Sequence, residues 1–289
     1  MQIILGTAQL SGNYGISNKN LTNRYNKSYL DKIYKTSKNN KINYLDTSEN
    51  YPGVHKKIGS SKLNQLKIIT KINLDKVFDK KKSQFRFDKI LKDLNKDSIY
   101  ALLIHNPVNL NNKNILSTIN FIKNLKSENK VKKIGISIYD KKDLNIIKNF
   151  WVPDIVQLPL NIFNRNLIKD KTVNTLLKKN VEIHVRSIFL QGLLLSKQVP
   201  KKFIKFKPIL KMWYSVTNNN LEKKISFSIK SINKFYNLKN FVIGFDDIEQ
   251  INLLGKILKK IEKIPQNLKK IKTDSKILKD PRRWYKLWI

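Results

Sequence analysis

The sequence contains no cysteine. Disulfides, thiolate metal sites and thiol nucleophiles are therefore excluded. Only nine glycines and eight prolines occur among 289 residues, so neither a collagen-like repeat nor a Gly/Pro-rich disordered chain fits. No apolar run is long enough to span a membrane. The opening Met1-Gln2-Ile3-Ile4-Leu5-Gly6 lacks the basic start and long apolar stretch of a secretory signal, so a cytoplasmic protein is expected. Acidic residues are scarce too, 21 against 58 Lys and Arg, which sets the formal net charge at +37.

Such an excess ordinarily points to nucleic acid or an anionic surface. Only six of the basic residues are arginine, however: Arg24, Arg86, Arg165, Arg186, Arg282 and Arg283. Arginine is the better fork for phosphates and base edges, and a dedicated binder would use more of it. The lysines are spread along the whole chain beside many asparagines and isoleucines, all encoded by A/T-rich codons. Base-composition drift with a solvated lysine coat accounts for the charge. Neither a specific nucleic acid nor a membrane is expected as partner, and the oligomeric state is not readable from the sequence.

The chain does contain eight short β-branched runs, separated by stretches with helical periodicity. The runs are 3–6, 43–46, 66–71, 101–105, 133–137, 155–158, 181–186 and 241–244. Near-continuous apolar runs of this length suit parallel strands covered by helices. Apolar spacing predicts helices over Ser28–Asn39, Phe85–Leu94, Asn114–Glu128, Asp140–Phe150 and about Asn219–Tyr236. Most steps between strand ends are close to one βαβ unit of about 30 residues. The last, from Arg186 to Gly244, is 58 residues and must hold an insertion, placed at about 196–217. Eight alternating units predict a (β/α)8 TIM barrel forming one domain over 1–289, with a C-terminal tail at about 272–289. The competing open doubly wound sheet would carry G-x-G-x-x-G after its first strand, whereas Gly6-Thr7-Ala8-Gln9-Leu10 follows here.

Barrel chemistry sits at the C-terminal ends of the strands. Those positions are Gly6, Asp46, Lys71, His105, Ser137, Gln157, Arg186 and Gly244, and Tyr51 follows Asp46 by five residues. A phenol is a poor acid near neutral pH, but an adjacent ammonium would lower its pKa. Asp46 would keep Lys71 charged, and His105 would donate to a carbonyl oxygen as charge develops there. The set describes carbonyl reduction, with hydride from a cofactor and a proton from Tyr51. Each residue has a blander reading: a structural histidine, one lysine among many, a helix cap at Asp46-Thr47-Ser48, a packed loop tyrosine. Their coincidence on consecutive strands carries the argument. Trp151, Trp213, Trp284 and Trp288 read as packing, and His184 shares the inward face of Arg186.

With these residues in view, the stretch from Gly6 to about Asn252 resembles the aldo-keto reductases. The likeness rests on Gly6-Thr7-Ala8-Gln9-Leu10, Leu45-Asp46-Thr47 with Tyr51, Thr70-Lys71, Leu103-Ile104-His105-Asn106-Pro107 and Lys133-Ile134-Gly135-Ile136-Ser137. The resemblance implies Asp46, Tyr51, Lys71 and His105 as catalytic residues and NADP(H) or NAD(H) as cofactor. It implies nicotinamide contacts at Ser137 and Gln157, a pyrophosphate near Ser187, Phe189 and Gln191, and an adenosine end past Gly244 toward Gln250. Gly6 and Thr7 would border the same site. The implied substrate is a small aldehyde or ketone, with sugar-derived carbonyls among the candidates. No metal is implied.

Several positions depart from the family pattern. Ile138 stands where asparagine is usual after the serine, and Arg186 replaces a stacking tyrosine, its planar guanidinium able to stack instead. Pro52 and His55 alter the loop that carries Tyr51. Asp246, Asp247 and Gln250 occupy the place of basic residues that grip a 2′-phosphate, so NADH is expected to be accepted at least as well as NADPH. The alternative function is a non-catalytic basic scaffold on the same barrel, which would have no need of all four catalytic side chains. A Schiff-base role for Lys71 is disfavoured, because an ammonium beside Asp46 stays charged.

Overall fold

Strand β1 (Gln2–Gly6) pairs in parallel with both β2 (Tyr44–Asp46) and β8 (Asn240–Gly244). Between them run β3 (Lys67–Ile72), β4 (Ile99–Ile104), β5 (Val131–Ser137), β6 (Ile155–Pro159) and β7 (Glu182–Arg186), each bonded to its neighbours in sequence order. The described residues thus close an eight-stranded parallel barrel, the (β/α)8 architecture expected from the alternating runs. This computed structural model describes residues 1–12, 14–16, 24–75, 77–107, 110, 115–260 and 262–287. Asn114 and Trp288 lie outside the described residues.

Helices α1 (Lys27–Asn39), α2 (Val54–Gly59), α3 (Lys80–Leu94), α4 (Ile115–Ser127) and α5 (Lys141–Ile147) follow the first five strands. After β6 come α6 (Asn166–Lys169) and α7 (Thr172–Lys178), then α8 (Lys207–Val216) and α9 (Leu221–Tyr236) after β7. Helix α10 (Ile248–Lys259) follows β8, and α11 (Lys276–Lys279) lies in the tail. Side-chain caps start most of the longer ones: Asn26, Asp79, Asn220 and Asp247 each accept a backbone N–H of the first turn. Two helices differ from expectation. Helix α3 begins five residues early because Asp79 caps a lysine-rich turn without apolar periodicity. Helix α5 stops at Ile147, three residues short of Phe150, and Pro153 disfavours helical geometry just upstream.

Alternation along the strands separates two cores. Outward residues such as Ile3, Leu5, Leu45, Ile68, Leu102 and Val156 pack under the helices. A small inner cluster of Ile4, Ile69, Ala101, Leu103 and Ile155 fills the barrel. Gly135 lies against that cluster, where a β-carbon would come within 2.2 Å of the Ile155 carbonyl oxygen. Lower in the barrel, His184 is buried and bonds Glu182 at 2.7 Å, while Lys133 pairs with the same carboxylate. Against the cost of burial, those two partners hold Glu182 down at about 2. His184 therefore acts as a structural plug.

The segment after β7 and the tail fold together. A 3-10 turn over Lys201–Phe206 leads into α8, with Pro208 in the first turn. Phe203, Leu210 and Trp213 join Leu268, Leu278 and Trp284 in a separate apolar cluster. Phe203 meets Trp284 edge-on at 4.7 Å, and the indole N–H of Trp213 donates to the Leu194 carbonyl at 2.8 Å. Among the described residues no helix is long and apolar enough to cross a membrane.

Candidate active site

Period-two alternation ends each strand with one inward side chain at the upper rim. There Gly6, Asp46, Lys71, His105, Ser137, Gln157, Arg186 and Gly244 line a single cleft of about 570 Å³. Tyr51, Thr7, Ser187, Phe189, Gln191 and Gln250 line it too, so all the sequence-predicted site residues share one cavity. The cleft runs from the Asp46–Lys71 end to the first turn of α10.

Its polar centre is tightly bonded. Lys71 Nζ donates to both carboxylate oxygens of Asp46, at 2.7 and 2.8 Å, and to the Thr47 carbonyl at 2.8 Å. Gln157 Nε2 donates to the same carboxylate at 2.7 Å. Burial pulls the Lys71 ammonium below its ordinary value, and the Asp46 carboxylate works against that pull. Lys71 Nζ lies 5.9 Å from the centre of the Tyr51 ring.

Tyr51 differs from expectation. Burial pushes its phenol up, with Asp46 and Tyr14 adding to the rise and Arg186 opposing it. The ammonium expected to lower it is committed to Asp46 instead. Tyr51 consequently holds its proton throughout the neutral range.

His105 is fixed by residues whose part the sequence did not disclose. Its Nδ1 lies 3.0 Å from Ser48 Oγ and 3.1 Å from Asn50 Nδ2, while Asn50 Oδ1 accepts from Asn73. An amide nitrogen only donates, so Nδ1 accepts and the neutral ring carries its proton on Nε2. Burial, with Lys71 and Arg186 adding to it, lowers His105 to about 3. The imidazole is an uncharged donor at neutral pH. Asp46-Thr47-Ser48 is thus no helix cap: its serine and the nearby asparagine orient a ring 57 and 55 residues away.

Other expected residues behave more modestly. The Thr7 hydroxyl donates to the Asp46 carbonyl at 2.9 Å and is spent on the backbone. His55 is buried in α2 against Thr70 Oγ1 at 2.9 Å, and burial lowers it to about 4. Arg186 lies over the Tyr139 ring at 4.0 Å, with Arg282 of the tail 3.4 Å from the same centroid. Tyr14 and Tyr139 line the cleft although nothing singled them out; Tyr139 was legible as the next residue in step with Ser137. No tryptophan among the described residues lines it.

The family model described as the aldo/keto reductase family matches residues 2–239. The chain belongs to the aldo/keto reductase family. As a member of it, the protein is an NAD(P)-dependent oxidoreductase acting on small-molecule carbonyl compounds. Its fold is similar to that of the glycerol dehydrogenase from Gluconobacter oxydans, at 17% identity and a TM-score of 0.71, covering 93% of this chain and 89% of that one. The holo form of an aldo-keto reductase from Bacillus halodurans gives 15%, 0.72, 93% and 90%. An aldo/keto reductase from Klebsiella pneumoniae, solved in complex with NADP and acetate, gives 12%, 0.66, 93% and 89%. No curated protein matches the sequence.

The cleft fits a nicotinamide dinucleotide on its own evidence. Gln157 spends its amide N–H on Asp46, and among the described residues its buried Oε1 has no partner, nor does Gln9 Oε1. Buried carbonyl oxygens in that state call for a donor. Between β1 and β8, a β-carbon on Gly6 would meet the Gly244 nitrogen at 3.1 Å, and one on Gly244 would strike the Gln9 amide at 2.2 Å. Three non-glycine residues of the loop after β7, Ser187, Leu190 and Gln191, hold left-handed backbone at φ 60°, 48° and 52°. Strain of that kind gathers where a loop must hold a particular shape.

Proposed function

We propose that the protein reduces an aldehyde or ketone to an alcohol, using Tyr51 as proton donor with Asp46, Lys71 and His105 around it. The observation carrying this reading is the bonded Asp46–Lys71–Gln157 group, set beside a protonated phenol and a neutral imidazole in one cleft. A bound NADPH or NADH supplies the hydride.

The chain's own residues do the rest. The Nε2–H of His105 orients the carbonyl oxygen and stabilises the charge that grows there. As the carbonyl carbon accepts hydride, the C=O π pair moves to oxygen, which takes the Tyr51 proton. Water later re-protonates the phenolate. Burial keeps the phenol protonated until the far more basic alkoxide forms beside it, and Arg186 offsets part of that burial. Ser137 and the free Gln157 carbonyl would hold the carboxamide, Ser187, Phe189 and Gln191 the diphosphate, and Gly244 and Gln250 the adenosine end. Sugar-derived carbonyls suit the hydroxyl-rich rim formed by Tyr14, Tyr51 and Tyr139.

The test follows nicotinamide absorbance over a panel of aldehydes, ketones and sugar carbonyls with both reduced cofactors. Tyr51→Phe should lose roughly 100-fold or more in turnover while still binding cofactor by calorimetry. Undiminished turnover in that variant would move the proton elsewhere. Cofactor binding with no reduction of any substrate would favour the scaffold alternative.

A further inference from the structure

Among the described residues, three charged side chains, Asp46, Lys71 and Arg186, line the catalytic end of the cleft, and only two of them cancel. Asp46 is fully engaged, both oxygens taking Lys71 and one also taking Gln157. Arg186 has no such counterpart: among the described residues no carboxylate pairs with it. Its contacts are uncharged. Nη2 donates to the Ile138 carbonyl at 3.0 Å, Nη1 to Ser187 Oγ at 3.3 Å, and the guanidinium covers the Tyr139 ring. These contacts hold the cation in place without neutralising it. Arg282, on the same ring, is by contrast paired with Asp280 through Nε at 3.0 Å and Nη2 at 2.8 Å, a carboxylate it shares with the more distant Arg283 at 3.6 Å. The catalytic end therefore carries one uncompensated positive charge, and an arginine cannot shed it by losing a proton. That charge reaches the reacting groups, opposing the rise at Tyr51 and Tyr14 and helping to keep His105 low.

We propose, resting on the reductase reading above, that Arg186 makes the cleft discriminate between the two oxidation states of the nicotinamide, holding the uncharged reduced ring far more tightly than the cationic oxidised ring. The two states share their ribose, diphosphate and adenosine, so those contacts cancel in the ratio of affinities. What differs is one positive charge on the ring, placed near the reacting carbonyl by the geometry of hydride transfer. In a cleft whose catalytic end already holds a fixed guanidinium, with the Asp46 carboxylate there occupied by Lys71 and Gln157, that charge is repelled. The same guanidinium favours the Tyr51 phenolate left after proton donation. Arg186 thus biases the protein toward carbonyl reduction and quick release of oxidised cofactor, and handicaps alcohol oxidation.

Calorimetric titration of the full chain with NADH and NAD⁺, repeated with NADPH and NADP⁺, tests this. The unmodified chain should bind the oxidised form at least 10-fold more weakly. Arg186→Gln should shrink that ratio at least 5-fold, chiefly by tightening the oxidised form, and Arg186→Lys should preserve most of it. A ratio near one in the unmodified chain overturns the proposal without any variant being needed. Equal weakening of both forms by Arg186→Gln overturns it too, since Arg186 would then be a phosphate ligand. Failure of every nucleotide to bind would overturn the reductase reading itself, and the proposal with it.

Discussion

Replacing His105 with glutamine should remove a defined part of the protein's acid sensitivity. The unfolded imidazole titrates near 6.5 and the folded one near 3, lowered first by burial and then by Lys71 and Arg186. Between those values the unfolded chain binds a proton that the folded chain refuses, so stability is lost as pH falls through the window. From pH 6.5 to 4 the loss is two and a half decades at 1.36 kcal/mol each, or roughly 3 kcal/mol before solvent screening reduces it toward 2. His55, lowered to about 4 chiefly by burial, contributes a similar loss over the same range. Urea unfolding at pH 7 and pH 4 reads the sum. The unmodified chain should lose both contributions and His105→Gln only that of His55. A variant losing as much stability as its parent between the two pH values would refute the reasoning. So would an inflection near pH 6.5 in kcat/KM that His105→Gln abolishes, because a neutral His105 does not titrate there.

Two other outcomes are expected. Asp246 lines the far end of the cleft and bonds Gln250, while no Lys or Arg among the described residues lines that end. NADH should therefore bind at least as well as NADPH, and Asp246→Ser should tighten NADPH by about 1 kcal/mol, or roughly 5-fold, with NADH unchanged in calorimetry. Gly135→Ala should destabilise the barrel by about 1–3 kcal/mol or more in denaturant titration. Its β-carbon would fall 2.2 Å from the Ile155 carbonyl and 2.7 Å from Leu103 Cδ2, and the first of these is backbone that cannot turn aside.

Much of this site can be read from the chain because strand periodicity is simple. A β-branched run that ends in Asp46, Lys71 or His105 states both that a strand is there and which rim its last inward residue faces. Tyr51 was legible by its distance from Asp46. Ser48 and Asn50 were visible but uninterpretable, since their partner His105 lies two strands away. Arg186 was legible as a strand-end cation, yet the lack of a countercharge is a statement about every neighbour at once. The Arg282–Tyr139 contact joins the tail to the loop after β5, a pairing with no local signal.

By itself the order of residues determined the number of strands, their parallel sense and the eight side chains at the rim, because those follow from periods of two and 3.6 along the backbone. Tertiary structure alone decided the charge states. Whether Tyr51 is eased or held as an acid, and whether His105 is charged or neutral, depends on how much water is excluded and which ions stand within a few ångströms. Those distances exist only once the barrel has closed.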